Sequence, residues 1–185
     1  MIVGLTGTFA SGKDTVAEFL IKDGFEHHSL SDELREVAKE RGVEPSRENM
    51  QKLGNVLRDE SGDDYLARRA MKKAKSDQLV VSSVRQPGEV EYLKKQPDFY
   101  MVAVDAPVEE RFKRMQKRAR AGDPQTLEEM KEKEAREMAS KENNAQQVQK
   151  CLEMADYTII NDGTYGDLKR KTDDVIRKIK SKKAR

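Results

Sequence analysis

The stretch that most restricts the fold opens the chain. An apolar run, Ile2-Val3-Gly4-Leu5, enters Gly7-Thr8-Phe9-Ala10-Ser11-Gly12-Lys13, and residues 13–21 continue with helical periodicity. Strand, glycine loop and helix in this order suit a turn that cradles phosphate. Gly7 and Gly12 permit backbone angles that turn the successive peptide N–H groups around Phe9, Ala10 and Ser11 toward anionic oxygens, and the new helix adds its positive N-terminal end. Lys13 then reaches between the β and γ phosphates of a nucleotide, and Thr15 is placed to hydrogen-bond the α phosphate. An ordinary glycine-rich turn between strand and helix is the alternative.

One position departs from the usual pattern. The residue after the lysine is normally a Ser or Thr whose hydroxyl serves Mg²⁺; here it is Asp14, followed by Thr15. A carboxylate at this place serves a hard cation directly or through its waters. It equally suits a plain helix start, where the dipole favours negative charge.

Beyond the loop, short β-rich runs alternate with longer charged stretches of helical period, the pattern of a parallel sheet wrapped by helices. Strands are predicted at 1–6, 28–30, 79–84, 99–104 and 157–160, and helices at 13–21, 32–41, 47–59, 64–75, 89–94, 108–119, 127–154 and 165–179. The fold class is α/β: one five-stranded parallel sheet within a single domain of 185 residues, a length suited to one core. Residues 31–77 place three helical segments between the second and third strands, which predicts a helical lobe over the sheet edge. Residues 111–150 are highly charged and broken at Gly122-Asp123-Pro124, with a polar tract at 141–150 that buries little.

Composition excludes several classes of function. Lys and Arg number 36 against 34 Asp and Glu, a net charge of +2, so no general polyanion-binding surface is implied. Aromatic residues are 5%, too few for base-stacking platforms, and no nucleic acid partner is expected. Apolar residues at 36% still suffice for a core, no stretch is apolar for long enough to span a membrane, and Met1 runs straight into a strand. The chain is expected in the cytoplasm, with no membrane partner, as a monomer or small homo-oligomer. The lone Cys151 excludes an internal disulfide and a cysteine-cluster metal site.

Further segments resemble those of the P-loop nucleotide and nucleoside-monophosphate kinases, particularly their dephospho-CoA-kinase-like and archaeal adenylate-kinase-related branches. The likeness rests on Gly7 to Thr15, Leu30-Ser31-Asp32-Glu33-Leu34-Arg35, Ser83-Val84-Arg85 with Pro87, Val104-Asp105-Ala106-Pro107 leading to Arg111 and Arg114, and the run from Ala155 to Gly163. The Gly-Lys-Asp variant of the loop is also similar to that of phage deoxynucleoside-monophosphate kinases and phosphomevalonate kinases. The resemblance implies a P-loop NTPase fold of nucleoside-monophosphate-kinase type, ATP and Mg²⁺ as cofactors, and a small nucleotide acceptor. It assigns residues 31–77 to the acceptor lobe and residues 111–150 to a lid.

Phosphoryl transfer between anions is mostly positioning and charge neutralisation, so arginines should outnumber acids and bases. By resemblance, Asp32 orients or deprotonates the attacking oxygen and Arg35 grips the acceptor phosphate through a bidentate fork. A helix N-cap at Ser31 or Asp32 is the alternative. Arg85 follows the third strand at the carboxyl edge of the sheet, where open α/β folds bind ligands, and suits an acceptor or γ-phosphate contact. Ser82 and Ser83 stand where such kinases carry a carboxylate, which makes Asp14 the candidate metal ligand and Asp105 the other. Arg111, Arg114 and Arg118 share a helical face, with Arg120 before the break. Arg118, Arg120 and Arg136 suit a lid that closes over the phosphates, whereas a solvated face paired with Glu109 and Glu110 suits Arg111 equally. Asn161 to Thr164, with Gly163, resembles an adenine-contacting loop; His27 and His28 are read as non-catalytic. The function so implied is phosphotransfer from ATP to a ribo- or deoxyribonucleoside monophosphate or related nucleotide. Dephospho-CoA kinase and a non-kinase nucleotide-binding switch are the alternatives.

Overall fold

The computed structural model describes residues 1–119, 123–139 and 147–183. Five strands and nine helices follow in the order β1 (Ile2–Gly7), α1 (Lys13–Lys22), β2 (Glu26–Ser29), α2 (Leu30–Glu40), α3 (Arg47–Ser61), α4 (Tyr65–Lys73), β3 (Leu79–Ser82), α5 (Pro87–Lys94), β4 (Phe99–Asp105), α6 (Val108–Arg118), α7 (Leu127–Ala139), α8 (Val148–Glu153), β5 (Tyr157–Ile160) and α9 (Tyr165–Lys183), counted among the described residues. The strands form one parallel sheet in the order β2-β3-β1-β4-β5. β1 is central, pairing Ile2 with Leu79 on one side and Gly7 with Val104 on the other. It is apolar without alternation because both faces of the sheet are covered.

Successive residues enter opposite cores. Ile2, Leu79, Val81 and Met101 join Val37, Leu57, Ala67 and Leu93 on the face covered by α2 to α5 and α8. Val3, Leu5, Val80, Val102 and Ile159 join Val16, Phe19, Leu168 and Ile179 under α1 and α9. Glu33 of α2 is 3% exposed and takes Lys73 of α4 at 2.8 Å and Arg69 at 3.3 Å, which fixes α2 against α4. Among the described residues no helix is long and apolar enough to cross a membrane.

The clearest differences from the predicted elements fall at β2, α2, β3 and the helix expected over 127–154. β2 is Glu26–Ser29 and α2 begins at Leu30, so Asp32 lies inside the first helical turn and Ser29 holds the N-cap position. The reason is register: Glu26 pairs with Leu79 and Ser29 with Ser82. β3 ends at Ser82 because Ser83 turns into the left-handed region at φ 63°. The helix expected over 127–154 is two among the described residues, with Gln147 in a non-helical N-cap conformation before α8. The two pieces serve different partners, since Glu134 of α7 pairs with Arg111 while Cys151 of α8 enters the core beside α5.

Candidate active site

The loop between β1 and α1 is held from three sides. Ala10 at φ 60° and Gly12 at φ 97° turn the backbone inward, and a Cβ on Gly12 would stand 2.4 Å from the Asn161 amide nitrogen. That amide donates to the Ser11 carbonyl at 2.8 Å, which ties the loop to the end of β5. Thr8 donates its hydroxyl to Asp105 at the end of β4 at 2.6 Å, and the same carboxylate oxygen accepts the Ala106 N–H at 2.8 Å. Arg111, 6% exposed, donates to the carbonyls of Ala106 at 2.8 Å and Phe9 at 3.3 Å. Gly7 lies where a Cβ would meet the Val104 carbonyl at 2.4 Å. The Ser11 hydroxyl is buried without a hydrogen-bond partner among the described residues.

Lys13 opens α1 with its ammonium 3.3 Å from the Ser83 hydroxyl and in contact with the Asp14 carboxylate. Burial lowers its pKa, Asp14 opposes this, and Arg85 and Asp32 both act on it electrostatically. The left-handed turn at Ser83 is what carries that hydroxyl to the lysine. Asp32 is exposed on α2 and bonded to Arg35 one turn on. His27 of β2 shares a hydrogen bond of 2.8 Å with Ser82 of β3. Burial lowers the imidazole's pKa there, with Asp32 raising it and Lys13 lowering it. Thr15 is half-buried in the first turn of α1. Lys13, Asp14, Asp32 and Arg85 therefore gather at one carboxyl edge, although the four come from three different parts of the chain.

On the opposite flank, the Arg118 guanidinium lies over the Phe9 ring and pairs with Asp123 at 3.1 Å. Arg114 donates to the Asn161 carbonyl at 2.9 Å. Gly163 borders an open hollow of about 490 Å³ with Glu110, Lys113, Arg114 and Lys117. Arg111 departs from the solvated reading: it is buried, and its carboxylate partner is Glu134 of α7 and not Glu109 or Glu110. Arg120 and the side chain of Arg136 lie outside the described residues.

Sequence reasoning passed over Glu89, and it gave His27 and Arg111 readings that do not include the contacts they make here. The Glu89 carboxylate accepts the backbone N–H groups of Arg85 at 2.8 Å and Gln86 at 3.0 Å. Gln86 and Glu89 stand three apart at the start of α5, the spacing of a capping box but with Gln in place of the usual Ser or Thr. The roles of His27 and Arg111 depend on partners far along the chain.

The sheet order, the glycine loop and the converging strand ends define a P-loop protein with the fold of the P-loop kinases. A family profile described as an AAA domain matches residues 3–139. The chain belongs to that AAA-domain family and to the UPF0200 proteins, being 33% identical over 189 residues to the UPF0200 protein of Pyrococcus abyssi, with 97% of each chain covered. The UPF0200 protein of Thermococcus gammatolerans is 34% identical over 187 residues, covering 97% of this chain and 95% of that one. A UPF0200/UPF0201 protein of Archaeoglobus fulgidus is 33% identical over 185 residues, but the chain spans 55% of that relative's length. Among solved structures, TT1252 from Thermus thermophilus matches with a TM-score of 0.61 and 21% identity over 96% of this chain and 97% of that one. Shikimate kinase from Acinetobacter baumannii matches at 0.60 and 18%, covering 100% and 95%. Dephospho-CoA kinase from Campylobacter jejuni matches at 0.58 and 16%, covering 96% of each. These structural likenesses are likenesses of fold.

Proposed function

We propose that this chain is an ATP- and Mg²⁺-dependent phosphotransferase whose acceptor is a nucleoside monophosphate, ribo- or deoxyribo-, or a related nucleotide. The observation that supports it most directly is that Lys13 of the loop stands 3.3 Å from the Ser83 hydroxyl, on the strand end that leads to Arg85, with β2 paired alongside and running into the start of α2 that carries Asp32. A donor's phosphates on the loop and an anionic acceptor beside α2 would thus share one short edge of the sheet, as in-line transfer requires.

In this reading the loop from Gly7 to Gly12 wraps the β phosphate with its backbone, Lys13 leaves Asp14 for the β and γ oxygens, and Thr15 holds the α phosphate. Asn161 keeps the loop in shape, and Gly163 with its neighbours borders the hollow where a base would rest. Arg35 and Arg85 hold the acceptor's phosphate, with Asp32 orienting it. Arg118, joined by Arg120, moves from Phe9 onto the transferring group and excludes water. Mg²⁺ fits the donors present: Mg²⁺ commonly takes one or two carboxylates plus phosphate oxygens and waters. Asp14 is exposed beside Lys13, whereas one oxygen of Asp105 already accepts two hydrogen bonds. When bound, the cation would neutralise phosphate charge.

The test is ATP with Mg²⁺ against each ribo- and deoxynucleoside monophosphate, dephospho-CoA, shikimate and no acceptor, scored for ADP and for phosphorylated product. The reading expects ADP formation tied to a nucleotide monophosphate. Product from dephospho-CoA alone would move the acceptor to a hydroxyl. ADP at the same rate with and without acceptors would make the chain a nucleotide-hydrolysing switch.

A further inference from the structure

Glu89 is a buried carboxylate for which phosphate binding at the loop has no use. It sits in the first turn of α5, 3% exposed, and one of its oxygens accepts the N–H groups of both Arg85 and Gln86. Those donors are helix-start groups that would otherwise lie unsatisfied. Capping explains the two hydrogen bonds but not the place, because a capping glutamate normally keeps its carboxylate in water. Here the group is enclosed with Arg85 on its own turn, Arg58 from α3 and Cys151 from α8 within electrostatic reach. Asp63 and Asp59 act on Arg58 in turn. The other elements packed on α5 bring apolar side chains to the same core, Leu66, Ala67 and Ala70 from α4 and Met101 from β4. Burial pushes the Glu89 carboxyl up to about 7 and the Cys151 thiol up to about 12.

We propose that Glu89 is a positioning residue for anion capture at Arg85: its carboxyl fixes the turn from which Arg85 departs, and its charge sets how much of the guanidinium's field remains for an anionic acceptor. This rests on the reading of Arg85 as an acceptor contact. Ionised, the carboxylate draws on Arg85 and Arg58 and opposes an incoming anion across a poorly screened interior. Protonated, it still accepts the two N–H groups through its carbonyl oxygen but carries no opposing charge. Anion binding at Arg85 therefore takes up a fraction of a proton from solvent at Glu89, and the coupling is reciprocal.

The test reads the backbone amide resonances of Arg85 and Gln86 in the ¹⁵N-labelled full chain, with sulfate as probe because its charge is constant between about pH 6 and pH 8.5. Without sulfate, both resonances should titrate together with a midpoint close to neutrality. With sulfate, half-saturation at Arg85 should rise at least about 5-fold from the lower to the higher pH, the smaller end of typical site coupling. In Glu89→Gln it should stay level, while the Gly12 amide reports loop binding unchanged between the two proteins. A titration of His27 would survive in Glu89→Gln and so is distinguishable. The proposal is overturned by a carboxyl midpoint at the ordinary 4.5, by equal sulfate affinity at both pH values, by no response at Arg85, or by wild-type pH dependence persisting in Glu89→Gln. The wild-type titration stands even if that variant does not fold. No turnover is read, so an acceptor panel without product would remove the phosphotransfer reading and leave this measurement in place.

Discussion

The guanidinium of Arg118 lies 4.4 Å from the centre of the Phe9 ring. The last turn of α6 thus rests on the aromatic side chain of the phosphate loop, and Arg111 two turns earlier on the helix face grips the carbonyl of the same residue at 3.3 Å. Phe9 is held through both its backbone and its ring. A cation over an aromatic face contributes about 0.5 to 2 kcal/mol depending on desolvation. Phe9→Ala should therefore accelerate hydrogen exchange at Lys117 and Arg118 while leaving β1 protected. Unchanged exchange at the end of α6 would mean that Asp123 alone holds Arg118.

Lys13→Ala should abolish phosphoryl transfer and leave the fold. The side chain ends at the sheet edge beside Ser83 and Asp14 and fills no core volume. Loss of a charged contact to a transferring group costs about 2 to 4 kcal/mol of transition-state stabilisation, so less than about a tenth of the activity should remain. Turnover of ADP and the thermal midpoint, measured side by side, check both halves of this expectation.

Asp14→Asn should separate the carboxylate's two relationships, to the lysine and to the cation. Freed of its partner, Lys13 becomes available to phosphate, and a repelling charge near the nucleotide is gone, so ATP should bind more tightly in the presence of EDTA. With Mg²⁺ the same variant should lose most of the metal's effect on affinity. Calorimetric ATP titrations with and without Mg²⁺ read both signs. Wild-type metal dependence in Asp14→Asn would shift attention to Asp105.

Arg35→Ala and Arg85→Ala should raise the acceptor's KM far more than that of ATP. A lost charge-assisted phosphate contact is worth about 1.5 to 3 kcal/mol, or roughly 10- to 150-fold. Equal losses for both substrates would argue against an acceptor site between α2 and the end of β3.

Glu89 gives the stability of the chain a pH slope of known sign. Its carboxyl has an ordinary pKa of 4.5 when unfolded, and burial, its largest influence, pushes it to about 7 in the fold. Between those values the folded state keeps a proton that the unfolded chain has released, so this group's contribution is fully present below pH 4.5 and is lost as pH rises through 7. The displacement corresponds to roughly 3 kcal/mol. Glu89→Gln should remove this slope, gaining on wild type between pH 5 and pH 8 by up to about that amount in urea unfolding. A wild-type chain no less stable relative to Glu89→Gln at pH 8 than at pH 5 would contradict the carboxyl's desolvation.

Much of the site was legible because its signals are short-range. The loop, from Gly7 to Lys13, needs only glycines, a lysine and the switch from strand to helix periodicity, all within one stretch of chain. The parallel sheet followed from the alternation of short β-rich runs with longer stretches of helical period, and the position of Arg85 at the sheet edge followed from its place directly after the third run. Element ends were less legible. Residues 28–30 read as a strand, but pairing with β3 moved it back to Glu26–Ser29 and gave Leu30 to the helix.

What the sequence by itself determined was the kind of element at each place and the presence of a phosphate loop. Tertiary structure decided which charges are buried and what they hold. Asn161 reaches Ser11 across 150 residues, and Arg111 finds Glu134 across 23. Nothing in their local pattern separates them from the exposed polar residues beside them. Strand order places β5, β4 and β1 side by side, and only that order brings the end of one strand under the loop of another. The same holds for Glu89, whose spacing suits a cap but whose burial depends on α4, α8 and β4 packing on α5. Periodicity reports on neighbours a few residues away, whereas desolvation and ion pairing are set by whichever distant surfaces the packed sheet brings together.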